Sequence, residues 1–346
     1  MTARRAVIVD VVRTPFGKGR DGGALSGRQP ADSAGLPVEV PDVSIDRKCG
    51  SFQQPLHFAA QGVIAGAYDV AIGCGAEMMS ALPMRANRIG RDELGPKLRA
   101  RFPDGLVHQG VSAELIAARW ELTREEPDAF ALRSHLPAAA ARDAGPLVPI
   151  ASAVGGAVTQ DESIRATSAQ ALAALSPAFT GERTGRRFPE IDWNVTAGNS
   201  SPVSDGAAAT LVMSEQRATQ LGLEPKAAVT GFAAIGTDPI PMLSGVPPTR
   251  ELLARTGLGI ADIDLAEVSG AFAGVVLAWA ADLGVSLDPV TVEGGAIAYG
   301  HPVGASGGRL LAALVDNLQR IEGRYGLMTM CESGGMANAT LLERAA

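Results

Sequence analysis

The chain has 346 residues, of which 46% are hydrophobic, 19% charged and 4% aromatic, with a formal net charge of −7. That length suits two or more domains of about 100–200 residues each, and the apolar fraction excludes a disordered chain. The acidic balance, the lack of a basic run and the few aromatics exclude a nucleic-acid binder. Its three cysteines, Cys49, Cys74 and Cys331, are odd in number and form no CxxC pair. That points to free thiols in a reducing compartment and to no metal site.

Arg4 and Arg5 run into AVIVDVV (6–12), too short and too β-branched for a signal peptide, so a first strand is predicted. No apolar run is long enough to span a bilayer, so a cytoplasmic protein without membrane partners is expected. VEVPDVSID (38–46) is predicted as a second strand with Cys49-Gly50-Ser51 at its end. FQQPLHFAAQGVIAGA follows as a helix, which tolerates Pro55 only in its first turn. YDVAIGCGAE (68–77) is the next strand. From 80 to about 195 strands are scarce. SAELIAARW (112–120) and REEPDAFALRSHLPAAAARDA (124–144) read as helices of an inserted subdomain, the second interrupted or started by Pro127. DGAAATLVMSE (205–215) returns to a core pattern. The last third places Gly300-His301-Pro302 before the helix VGASGGRLLAALVDNLQ. The strand RYGLMTM (324–330) then ends at Cys331, and NATLLER (338–344) is a candidate edge strand. Two units of strand, small-residue turn, Ala/Leu-rich helix and Cys-terminated strand suggest an internal duplication. Mostly parallel sheets, with reactive groups at strand C-termini, are expected.

Cys49 sits between a predicted strand and a predicted helix. A helix N-terminus favours thiolate over thiol, so Cys49 reads either as a nucleophile or as a buried structural thiol. His301, held in GHPVGASGG, reads as a base for a nearby thiol or as a loop histidine satisfied by backbone. Cys331 in CESGG alone reads as a core cysteine. Beside a second thiol and a histidine it becomes a shuttle for a carbon-bound proton, with glycine-rich backbone N–H groups to hold an oxyanion. Cys74 reads as core, His57 as a residue of an Ala-rich helix, and His135 as a residue of a surface-like helix. GGAIAYG lacks the spacing of a dinucleotide fingerprint.

These motifs resemble the thiolase family along nearly the whole chain. VVRTPFGKGR, DRKCGS, AIGCGAEMMS, VHQGVSAELIA, DAFALRSH, TAGNSSPVSDGAAA, GTDPIPM, GGAIAYGHPVGASGGRLL and MCESGGMANAT carry the resemblance. It implies an α/β fold of two duplicated domains in layers with an inserted, mostly helical loop domain. The expected division is 1–79 and 196–222 for the first domain, 80–195 for the loop domain and 223–346 for the second. It also implies an acyltransferase acting on 3-ketoacyl-CoA or acetyl-CoA, with coenzyme A as substrate and no permanently bound cofactor, in fatty acid metabolism. Cys49 would form the acyl-enzyme, His301 would activate it, and Cys331 would exchange the α-carbon proton. One oxyanion hole would use His301 and a water anchored near Ser269, the other the N–H groups of Cys49 and Ser333. His108, Arg165, Ser201, Ala271 and Phe272 would line the coenzyme A channel. A homodimer or homotetramer is expected.

Four departures from the family pattern stand out. The family's Asn-Glu-Ala-Phe reads Ser269-Gly270-Ala271-Phe272, and the shorter Ser269 takes the place of the water-anchoring Asn. The late Cys-x-Gly reads Cys331-Glu332-Ser333, where Ser would be strained if the position needs positive φ. Phe52 and Pro55 replace small, helix-friendly residues. The chain is also short between Pro30 and Gly35, where the family places a helix–strand–helix unit. A protein lacking that unit and a longer protein missing this stretch both fit the sequence. An impaired acyl-CoA binder or partner subunit is therefore the alternative to an active enzyme. A ketoacyl-synthase-like condensing enzyme is disfavoured, because Cys331 stands where a second histidine is expected.

Overall fold

The AVIVDVV run is β1 (Ala6–Arg13), buried on both faces at all but one position of its first five residues. In this computed structural model the described residues are 4–18, 35–84, 86, 89, 91, 94–140, 147–151 and 156–345. The strands that follow are β2 (Val70–Met78), β3 (Ser204–Ser214), β4 (Ala227–Gly236), β5 (Leu265–Ser269), β6 (Tyr325–Glu332) and β7 (Met336–Arg344). With the two-residue strand Gly17–Lys18 they form one eight-stranded sheet. Its order is β2–β3–β1–β4–β7–β6–β5, and Gly17–Lys18 pairs the start of β3. The two halves meet where Val7 and Ile8 of β1 pair Ala228 and Ala227 of β4.

Only β5 and β6 run parallel; the other pairings are antiparallel. The expectation of mostly parallel sheets is therefore corrected. The chain returns by β-hairpin between β6 and β7, across Ser333–Gly335, rather than by helical crossover. β7 is not an edge strand either. It pairs β4 on one side and β6 on the other, which is why NATLLER is buried almost throughout.

The duplication is visible in the sheet. β1, β2 and β3 in the first half match β4, β6 and β7 in the second. Each half has a helix before an antiparallel strand pair: α1 (Gln53–Ala65) precedes β2, which pairs β3, and α6 (Ser306–Arg320) precedes β6, which pairs β7. The second half also carries α4 (Val246–Thr256), β5 and α5 (Ala273–Leu283), which follow β4. In the first half the corresponding stretch lies between residues 18 and 48. Residues 19–34, where the shortened unit falls, lie outside the described residues. VEVPDVSID, predicted as a strand, is not one; Val38 and Val43 are 90% and 80% exposed. Among the described residues β2 pairs only β3, so no strand stands where β5 stands beside β6. Along β2, Gly73 and Gly75 pack on α1 and Phe52, and the alternate residues Ile72 and Cys74 are exposed on the opposite face.

α1 and α6 form the middle of the molecule and share one core with β1, β3 and β6. α1 takes Pro55 in its first turn, as required, and ends at Gly66 in the left-handed conformation that glycine accepts without cost. Between residues 80 and 195 the longer helices are α2 (Gln109–Arg119) and α3 (Glu125–Ala140). Pro127 starts α3 rather than interrupting it, because the first-turn N–H groups need no partner in the helix. Buried carboxylates fasten this region to the loop before β3. Glu114 accepts the N–H groups of Asn194 and Val195, and Asp128 accepts Asn199 Nδ2. Among the described residues no helix is long and apolar enough to cross a membrane.

The contrast between β7 and β2 is measurable. Leu341→Ala, at 1% exposure, should cost about 2–5 kcal/mol, whereas Ile72→Ala, at 50% exposure, should change stability by less than about 0.5 kcal/mol. Denaturant unfolding of both variants checks this; equal losses would place β2 in the core.

Candidate active site

Three turns meet beside the ends of β2 and β6. The first is a 3₁₀ turn, Lys48–Ser51, that leads through Phe52 into α1 and buries Cys49. Lys48 has a left-handed backbone (φ 52), and Arg47 N–H donates to Ser51 Oγ at 2.9 Å, closing the turn. The second is the hairpin turn after β6, where Ser333 N–H faces the Cys49 thiol. Cys49's own N–H faces the same sulfur. The third turn carries His301, between Gly300 (φ 95) and the start of α6. Gly304 N–H donates to Glu77 at the end of β2, and a Cβ on Gly307 would lie 3.1 Å from Phe52 Cβ. The His301 turn is thus seated on the Cys49 turn. Cys331 sits near the end of β6, 5% exposed, and its thiol reaches the Ser269 carbonyl at 4.0 Å.

The hydrogen bonds of His301 fix its proton. Ser306 Oγ lies 2.7 Å from His301 Nδ1 and 2.8 Å from the Pro302 carbonyl. The hydroxyl has one proton, which it gives to the carbonyl, so it accepts from Nδ1–H. Nε2 is left as a buried acceptor with no hydrogen-bond partner among the described residues. Burial, helped by the Arg309 guanidinium, pushes the His301 pKa down to about 4. The ring is neutral near pH 7 and offers one free lone pair.

Cys49 departs from the thiolate expected of a helix start. Burial dominates and pushes its pKa up to about 11; Ser333 N–H opposes this, while the Glu332 and Glu77 carboxylates add to it. Burial also raises the Cys331 thiol, with Cys49 and Glu332 adding. A 3₁₀ turn leads into α1, and its partial charge does not offset the loss of water. At rest both sulfurs keep their protons.

Two of the three remaining assignments change. Cys74, read as core, is exposed, on the face of β2 opposite the one that Gly73 and Gly75 turn to α1 and Phe52. His135, read as surface-like, is 2% exposed, and burial pushes its pKa down to about 4. His57 lies on α1 as expected, buried, with Nε2 2.7 Å from Thr340 Oγ1.

The residues proposed for a nucleotide channel fall into two groups. His108 caps α2 and stacks on Phe179 at 5.3 Å, and Phe179 meets Phe272 edge-on at 5.9 Å. Ser201 N–H donates to the Ala271 carbonyl, so His108, Ser201, Ala271 and Phe272 lie together around Phe179. Arg165 is exposed, and its charge acts on His135 of α3.

The altered positions are locally consistent. Ser333 does not have positive φ; Gly334 and Gly335 supply it (φ 95 and 81), so Ser333 presents its N–H without strain. Phe52 is fully buried against Gly307, Gly308 and Gly75, whose lack of side chains makes room for the ring. Gly270 is matched to Val276: a Cβ there would lie 2.3 Å from Val276 Cγ2. Sequence reasoning missed Ser306, Phe179 and the Arg47–Glu332 pair. An acidic residue closing an otherwise apolar strand was the available signal for the last.

The family model for the thiolase N-terminal domain matches residues 18–216, and that for the thiolase C-terminal domain matches 223–344. A steroid 3-ketoacyl-CoA thiolase of Mycobacterium tuberculosis is 36% identical over 395 residues, covering 98% of this chain and 94% of that protein. That alignment is longer than this chain, so the relative carries segments with no counterpart here. An acetyl-CoA acetyltransferase of Chromobacterium violaceum is 41% identical, covering 93% of this chain and 85% of that protein. The crystal structure of human mitochondrial 3-ketoacyl-CoA thiolase in complex with CoA superposes with a TM-score of 0.84 at 29% identity, over 99% of both chains.

The Gly270–Val276 match yields a stability test. Gly270→Ala should destabilise by about 1–3 kcal/mol through overpacking. Adding Val276→Ala should recover most of that loss, giving a clearly non-additive pair in thermal unfolding.

Proposed function

The chain belongs to the thiolase family, and from that premise we propose that Cys49 carries acyl groups between 3-ketoacyl-CoA and coenzyme A. The observation that supports this most is the pairing of two buried neutral thiols with a neutral His301 whose free Nε2 is set as a base. In cleavage, Cys49 sulfur attacks the 3-keto carbon while its proton passes to His301 Nε2. The carbonyl electrons move onto oxygen. Collapse of that adduct breaks the C2–C3 bond and leaves acyl-Cys49. The electron pair goes to the enolate of acetyl-CoA, which takes the Cys331 proton. A second coenzyme A then gives its thiol proton to the Cys331 thiolate and attacks the acyl carbon. Cys49 leaves and recovers its proton from His301. Condensation of acetyl-CoA is the reverse sequence.

A raised thiol suits Cys331. The closer its acidity lies to that of an α-carbon, the less one-sided the proton exchange with an enolate becomes. The N–H groups of Cys49 and Ser333 face the reacting sulfur and would hold the acyl-enzyme oxygen. His301 and Ser269 would flank the other oxyanion. His108, Ser201, Ala271 and Phe272, with Arg165 at the surface, would take the coenzyme, which is substrate rather than resident cofactor. The division into 1–79 with 196–222, 80–195 and 223–346, a homodimer or homotetramer, and a cytoplasmic location complete the reading.

Acetoacetyl-CoA thiolysis tests it. The protein should acquire an acetyl group on Cys49 by mass spectrometry and release acetyl-CoA when coenzyme A is added; a folded protein that takes up none contradicts the reading. Cys49→Ala should abolish both. Cys331→Ala should still be acetylated by acetyl-CoA, yet cleave acetoacetyl-CoA about 10²–10⁴-fold more slowly. Because His301 stays neutral down to about pH 4, acylation should hold below pH 6.5 and fail only as His301 protonates.

A further inference from the structure

A buried carboxylate stands behind the two thiols. Glu332 follows Cys331 on β6, so the two side chains point to opposite faces of the strand. Glu332 turns toward α1 and is fully buried, with Oε1 accepting from Arg47 Nε at 3.0 Å. Among the described residues its Oε2 has no hydrogen-bond partner, and neither does the side-chain amide of Asn338 on β7. The carboxylate presses on the nucleophile turn itself: a Cβ on Gly50 would lie 2.1 Å from Glu332 Oε1 and 2.9 Å from Asn338 Nδ2. Only glycine fits between Cys49 and this pair.

The groups around it come from every neighbouring element. The turn before α1 supplies Arg47 and Cys49, with Lys48 turned outward to Asp46. α1 supplies Gln53 and His57, both bound to Thr340 of β7. β6 supplies Cys331, β7 supplies Asn338, and β2 supplies Glu77, which also acts on Cys49. Among the described residues Arg47 is the cation paired to Glu332, and its own side chain is 21% exposed. The Glu332 charge is therefore anchored but not screened by water, and it acts on both sulfurs.

We propose that Glu332 is a positioning residue of this centre: anchored by Arg47, it braces the Cys49–Gly50 turn against the Cys331 strand and holds the Cys49 thiol protonated until His301 draws the proton to itself. The inference rests on Cys49 being the nucleophile proposed above. A carboxylate near a thiol disfavours the thiolate, and a neutral thiol resists alkylation and oxidation. Burial, opposed by Arg47, brings the Glu332 titration up to about 7, so the restraint strengthens as pH rises through neutrality.

The test reads Cys49 alone, by iodoacetamide alkylation of the full chain between pH 6 and 10, with the Cys49 peptide quantified by mass spectrometry. Glu332→Gln keeps the shape and removes the charge. It should alkylate about tenfold faster at pH 8 than the unaltered protein. An unchanged rate in folded Glu332→Gln overturns the proposal. If that variant does not fold, the unaltered protein decides. Its logarithmic rate should flatten between about pH 6 and 8, where Glu332 ionises and pushes Cys49 up. A straight tenfold rise per pH unit through that window overturns the proposal. Acetoacetyl-CoA thiolysis by the unaltered protein is measured separately, so loss of the thiolase reading and loss of this one are distinguishable.

Discussion

A thiol that is to react is buried here away from water, and the rest of the centre answers that constraint. Burial is the largest of the causes that lift Cys49 and Cys331 above the ordinary thiol range, and the nearby Glu332 carboxylate adds to it. Each neighbouring feature then makes sense as compensation or control. Ser333 N–H and Cys49 N–H face the sulfur and favour negative charge there. Ser306 spends its proton on Pro302 and so leaves His301 with its lone pair on Nε2. Glu332 supplies the opposite influence from behind the turn. A resting enzyme of neutral groups that exchange protons only around a substrate follows from this balance.

The fold provides the burial by duplication. Two similar halves meet along the β1–β4 register, and their helices α1 and α6 lie in one shared core. Cys49 sits before one of these helices and His301 before the other. Cys331 ends the strand that follows the second. One structural unit used twice therefore brings a nucleophile, a base and a proton shuttle to the same place. The first half departs from the second on its outer side, where β2 is open and β6 is covered by β5. The end of that open strand still belongs to the centre, where Glu77 accepts the Gly304 N–H of the His301 turn.

Much of this was legible in the sequence. The runs that form β1, α1, β2, α6 and β6 are rich in apolar residues, and their ends lie within a few residues of the predicted bounds. VEVPDVSID is not a strand: its alternation is strand-like, but alternation alone supplies no partner strand, and the shortness of the chain between Pro30 and Gly35 is the signal that its surroundings differ from the family's. NATLLER looked like an edge because it is short and last, while its register between β4 and β6 is a tertiary fact. The Cys, His and Cys motifs were visible. Their protonation was not, because a helix start and a buried site pull a thiol in opposite directions and only the packing decides between them. Cys74 and His135 exchanged their expected surroundings for the same reason.

The central claim is that the resting centre holds a neutral Cys49 beside a neutral His301. Ultraviolet titration of thiolate absorbance, taken as the difference between the unaltered protein and Cys49→Ala, tests it most directly. The account predicts no Cys49 thiolate near pH 7 and its appearance only toward about pH 11. A thiolate already present at neutral pH, as in a preformed cysteine–histidine ion pair, would contradict it.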